Sequence, residues 1–202
     1  MALPINDVQP LSQSKGDEEQ ALIDRCLAGD TEGFRPLVHR YQRLVFSVGL
    51  RMLGTRADAE DVAQQAFADA YAALYRFRGE GRSNAFSTWL LRIVINRAKD
   101  VLKSKRRTET PLDGDVAGAE AMFAHEPGTP ESNLRRSQEH RMMERALMAI
   151  DPKYREVLVL KDIEELSYEE IRTVLRLPIT TLKIRVVRAR AMLRAHLEEA
   201  TR

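Results

Sequence analysis

Between Ile171 and Leu197 the sequence carries Arg172, Arg176, Lys183, Arg185, Arg188, Arg190 and Arg194 and not one acidic residue. A one-sign run of this length suits a polyanion, because lysine and arginine neutralise phosphates and arginine can fork onto a guanine edge. The surrounding residues give the run a shape. Ser167-Tyr168-Glu169-Glu170 is a capping box that starts a short helix ending near Leu175, and Pro178 opens a longer helix towards Leu197. A short capped helix, a tight turn and a longer basic helix make the helix-turn-helix layout, whose second helix enters the major groove. A basic helix alone is more often the solvated face of a bundle; the capping box and the turn reverse those odds.

A second cationic face lies upstream. Arg92, Asn96, Lys99 and Lys103 share one side of a helix, and Lys105, Arg106 and Arg107 extend it. An amide among cations suits separated strands, whose bases are stacked or held in pockets. Phe86 and Trp89 could serve as stacking platforms, although the helical spacing of Trp89 with Ile93 favours the core. A third face is acidic and polar, with Asp61, Gln65 and Asp69 four apart and Asp58 and Gln64 beside them. Its carboxylates have no histidine partner, so a solvated or protein-docking face is favoured over acid–base work. The four histidines are scattered singly, and no Walker A, HExxH, GxSxG or CxxC pattern occurs. No catalytic or metal site is expected, no cofactor and no small-molecule substrate.

The elements that position these faces are helical almost everywhere. Phe34, Leu37, Val38, Tyr41, Leu44, Val45 and Val48 form one buried stripe, and Ala63, Phe67, Ala70, Leu74 and Phe77 another. A third helix, from about Ser87 to Lys103, turns Leu90, Val94, Ala98 and Val101 inward. Residues 1–17 read as a disordered tail. From Thr108 to Leu134 the chain has prolines, glycines and six acids but no lysine or arginine, which marks a flexible acidic linker. Helices resume near Ser137, and Asp151-Pro152 caps another. The expected fold is all-α: two small helical domains, 18–107 and 137–202, joined by a linker over 108–136. Net charge is only +2 over 202 residues, so the distribution of charge matters more than its sum. A single cysteine, no apolar leader and no spanning segment lead to a cytoplasmic expectation with no direct membrane insertion.

Five strings carry a family likeness. GFRPLVHRYQ, AEDVAQQAFADAYAALYRF and FSTWLLRIVINRAKDVLK resemble region two of the extracytoplasmic-function (ECF) sigma factors of the sigma-70 family, and LSYEEI followed by TTLKIRVVRARAML resembles their region four. The resemblance implies a promoter-recognition subunit of RNA polymerase with no catalysis of its own. It implies core polymerase (β′ clamp helices and β flap), promoter DNA and an anti-sigma factor as partners. Asp58, Asp61, Gln64, Gln65 and Phe67 then belong to the polymerase-docking surface. Arg82, Ser83, Asn84, Arg92, Asn96, Lys99 and Lys103 open and hold the −10 element. Arg172, Thr180, Thr181, Lys183, Ile184, Arg185 and Arg188 read the −35 duplex, and the linker threads the electropositive RNA-exit channel. The chain departs from the family pattern in a longer loop after Gly79, in Arg172 for a small residue and in Arg176 for a turn glycine. Thr180 and Ile184 stand for Gly and Ser, and Pro36 is expected to kink or restart its helix. Two other readings remain, a stand-alone helix-turn-helix regulator and a sigma mimic that sequesters an anti-sigma factor. The second cationic helix argues against the first, and Lys183, Arg185 and Arg188 against the second.

Overall fold

The computed structural model describes the backbone of residues 11–79, 85–107 and 130–200, with side chains over 16–79, 85–107 and 138–200. Those residues form eight α-helices and no strand. Helix α1 spans Leu11–Leu27. The sequence reading leaves residues 1–17 as a tail, but the helix already begins at Leu11, directly after Pro10, the last proline before it. Asp30 accepts from the Glu32 N–H to cap a 3-10 turn, Thr31–Gly33, which runs into α2, Phe34–Leu53. Pro36 does not restart α2, which is continuous from Phe34 to Leu53. It sits in the first turn, where its missing N–H has no intrahelical acceptor to lose.

Gly54 ends α2 at φ +80°, and its missing side chain matters twice. A Cβ there would lie 2.7 Å from Met148 Sδ, so the glycine serves both the left-handed cap and a close approach by a later helix. Thr55 caps α3, Arg56–Ala72. Its buried stripe is Ala59, Val62, Ala66 and Ala70, one residue round from the stripe expected at Ala63 and Phe67, which are half-buried. Alanine is apolar on either face, so periodicity alone could not fix the rotation. Helix α4, Ala85–Arg107, closes the first bundle with Leu90, Leu91, Val94, Ile95 and Ala98 against α2 and α3.

Helix α5, Pro130–Ala149, starts inside the stretch expected as linker; residues 108–129 lie outside the described set. Pro130 suits a first helical position. Asp151 accepts from the Lys153 N–H and caps α6, Pro152–Leu158, which continues as a π-helical turn, Val159–Ile163. The capping box is present with both of its bonds and starts α7, Tyr168–Leu175; α8 is Ile179–Ala200. Helices α5, α6 and α7 all pack on α8 through Leu182, Val186 and Ala189.

The two bundles touch. Helix α4 packs on α7, and α2 meets α5 and α6. Arg155 of α6 is buried at the junction, donating to the Met52 carbonyl at the end of α2 and to the Met148 and Ile150 carbonyls at the end of α5. Three carbonyls left over at helix ends are thereby satisfied by one planar cation. Burial pushes the guanidinium down to about 10, so it stays charged at neutral pH. Arg51 reaches Glu164 across the same boundary at 3.8 Å.

Candidate nucleic-acid interface

The helix-turn-helix is built as its residues demand. Ser167 Oγ accepts from the Glu170 N–H at 3.2 Å, while the Glu170 carboxylate accepts from the Ser167 N–H at 2.8 Å. At the other end of α7 the turn is made by Arg176 in the left-handed region, φ 55° and ψ 40°, with its N–H on the Arg172 carbonyl. The sequence departure from a turn glycine is therefore a real strain on the backbone.

Helix α8 presents two distinct faces. Leu182, Val186 and Ala189 are buried, whereas Thr180, Lys183, Ile184, Val187 and Arg188 are exposed along one outward stripe. Lys183 also lies over the Tyr168 ring. Arg172 is exposed on α7, paired with Glu169 at 2.7 Å. Two residues expected in the duplex-reading set do not share the outward stripe. Thr181 is half-buried. Arg185 turns back onto α6, donating to Glu156 at 3.1 Å and to the Lys153 carbonyl at 3.4 Å. Its position beside Leu182 and Val186 puts it on the flank of the packed side, where a buried carboxylate attracts it.

On α4, Asn96 and Lys103 are exposed and Arg92 is half-buried. Arg92 is held below the usual guanidinium range by burial and then by the like charge of Arg176 on α7. Lys99 is engaged rather than free, with its Nζ 2.5 Å from Glu156 Oε2. Arg82, Ser83 and Asn84 lie outside the described residues. Phe86 is fully buried, and Trp89 packs on both Phe77 and Phe86, so neither ring is a stacking platform in this structure.

The acidic face of α3 is divided in the same way. Asp61, Gln64 and Gln65 are exposed and Phe67 is half-buried. Asp58 is pushed up by burial, yet its bonds from Lys105 and Thr55 outweigh this and hold it below the carboxylate range. Asp69 is likewise held low, first by Arg97, with Gln65 as a further donor. Sequence reasoning missed Glu156, which pairs with a cation from each of the two cationic helices. It is 2% exposed, and burial raises its carboxyl above the usual range even though Lys99 and Arg185 pull it down.

Comparison with known proteins matches these two bundles in turn. Residues 37–108 match Sigma-70 region 2, and residues 140–193 match Sigma-70, region 4. The chain is 36% identical over 180 residues to the RNA polymerase sigma-H factor of Pseudomonas aeruginosa, covering 86% of this chain and 91% of that protein. It is 35% identical over 176 residues to the ECF RNA polymerase sigma-E factor of Escherichia coli strain K12, covering 85% and 90%. It is 34% identical over 182 residues to the ECF RNA polymerase sigma factor SigW of Bacillus subtilis, covering 88% and 95%. Among solved structures, CnrH in complex with the cytosolic domain of CnrY is similar at a TM-score of 0.62 and 26% identity, over 91% of this chain and 99% of that one. The fold is also that of RpoE in complex with the anti-sigma factor NepR from Bartonella quintana, at a TM-score of 0.61 and 21% identity, over 83% and 98%. Two sigma regions in order, matched along nearly the whole length of ECF relatives, settle the kinship: the chain belongs to the ECF group of the sigma-70 family of RNA polymerase sigma factors.

Proposed function

We propose that this sigma factor divides promoter recognition between its bundles, with α4 holding the separated strands of the −10 element and the outward stripe of α8 reading the −35 duplex. The observation that carries the reading is the acid-free stripe of α8, where Lys183 and Arg188 stand exposed on the helix that follows the capped α7 and its turn. Asp61, Gln64 and Gln65 form the exposed part of the polymerase-docking face on α3, and the acidic linker joins domains over 18–107 and 137–202. RNA synthesis belongs to the polymerase, which is the sense in which the chain is no enzyme. Its place of work is the cytoplasm; no helix among the described residues is long and apolar enough to cross a membrane. An anti-sigma factor is a further partner, by analogy with RpoE in complex with the anti-sigma factor NepR.

Footprinting of the reconstituted holoenzyme tests the division. Two protected blocks are expected, an upstream one lost in Arg188→Ala and a downstream one with reactive unpaired thymines lost in Asn96→Ala. Loss of the downstream block alone in Arg188→Ala would reverse the assignment.

A further inference from the structure

The outward stripe of α8 is not purely cationic. Ile184 is 54% exposed and Val187 is 68% exposed, the latter more than any other large apolar side chain among the described residues. Both stand one turn apart between Lys183 and Arg188. β-Branched side chains gain nothing for a helix in water, since they lose rotamer freedom against the preceding turn and bury no surface there. The charge around them selects the surface that covers them, because from Ile179 to Leu197 there are four arginines and one lysine and no aspartate or glutamate. That surface is a polyanion, and in the major groove of DNA the one apolar group a base pair offers is the 5-methyl of thymine.

We propose that Ile184 and Val187 are specificity-determining residues of this sigma factor, and that they select thymines at neighbouring steps of the −35 element through their 5-methyl groups. The proposal rests on the reading that α8 meets duplex DNA. Residues three apart on a helix rise about 4.5 Å, and successive bases on one strand rise about 3.4 Å. The two side chains therefore address adjacent or next-but-one base pairs. Lys183 and Arg188 flank them as phosphate or guanine ligands, whereas Arg185, bound to Glu156, adds nothing to this stripe.

The test uses holoenzyme and a −35 element selected by that holoenzyme from a random duplex library. Each thymine is replaced singly by deoxyuridine, which removes the methyl and leaves pairing and hydrogen-bonding edges intact. Wild-type holoenzyme should lose about fourfold in affinity at each of two neighbouring positions, the worth of one buried methyl group. In Ile184→Ala the uridine effect should vanish at one position, and in Val187→Ala at the other. Both sites are exposed, so unchanged thermal melts should accompany the loss. An element without thymine, uridine replacements without effect on wild type, or uridine effects that survive both alanine variants would overturn the proposal. Arg188→Ala separates the levels. If it weakens the upstream footprint while uridine is silent, only the methyl reading fails; if it is silent too, α8 is not the duplex-reading helix.

Discussion

Lys99 on α4 is ion-paired at 2.5 Å with Glu156 on α6, a carboxylate buried to 2% exposure. The same carboxylate takes Arg185 of α8 through its other oxygen at 3.1 Å. One acid thus neutralises a cation from each of the two helices expected to meet promoter DNA, and it does so across the boundary between the bundles. In this arrangement a DNA phosphate at Lys99 must compete with Glu156. An ion pair with one partner 40% exposed is worth on the order of 1 kcal/mol.

Glu156→Gln should therefore make the isolated chain bind a forked −10 oligonucleotide more tightly, by about tenfold if the released contact is worth about 1.4 kcal/mol. Its folding stability should change by no more than about 1 kcal/mol, because the burial cost of the carboxylate offsets much of its attraction. The pH dependence has a definite sign. A carboxyl raised above its unfolded value contributes stability that is fully present below the unfolded pKa and lost as pH rises through the folded one. Protonation also releases Lys99, so the affinity gap between wild type and Glu156→Gln should narrow as pH falls into the range above the usual carboxylate value. Fluorescence anisotropy across pH reads this; a constant gap would sink the idea.

Arg155→Met should destabilise the chain by about 2–4 kcal/mol. It removes the donor from the Met52, Met148 and Ile150 carbonyls and leaves them buried at two helix ends. Urea denaturation measures the loss. A change under 1 kcal/mol on that scale would mean that water replaces the guanidinium.

Arg176→Gly should stabilise the fold by about 0.5–1 kcal/mol. Relief of a left-handed non-glycine residue is worth roughly 1–2 kcal/mol, and the greater freedom of glycine in the unfolded chain takes part of that back. The substitution also removes the like charge that faces Arg92. A lowered melting temperature would show that the Arg176 side chain makes a contact worth more than the strain.

Asp61→Arg should weaken core-polymerase binding at least tenfold and leave the melt unchanged, since Asp61 is exposed on α3. Asp58→Ala makes the contrast. Its carboxylate ties α3 to Lys105 of α4, so it should lower stability first. Co-purification with core polymerase alongside thermal melts separates the two. Full polymerase binding by a folded Asp61→Arg protein would remove the docking role from this face.

Much of this fold was legible in short-range patterns. Leu37, Val45 and Val48, the capping box of Ser167 and Glu170, and the inward set Leu182, Val186 and Ala189 all announce themselves by helical spacing or by capping chemistry. What stayed hidden depends on long-range closure. Arg155 and Glu156 sit next to each other in an ordinary charged helix start, and nothing local distinguishes them from solvated residues. Only the approach of α2, α4 and α8 buries them. Arg185 was one of seven cations in an acid-free run, and its turn toward Glu156 follows from a partner 29 residues away. The rotation of α3 was hidden because alanines line both possible faces. Phe86 was offered as a stacking platform because an aromatic beside cations fits either role until its burial is known.

The account stands or falls on initiation by the intact pair of bundles. The direct measurement is run-off transcription from a library-selected promoter by purified core polymerase, with permanganate probing of unpaired thymines in the same reaction. Core polymerase with this chain should give a discrete transcript and reactive thymines at the −10 element, and core alone should give neither. Asn96→Ala should lose both signals on duplex template and recover the transcript on a template with a pre-melted bubble. A folded wild-type chain that binds core polymerase yet yields no promoter-dependent transcript and no reactive thymines would contradict the account.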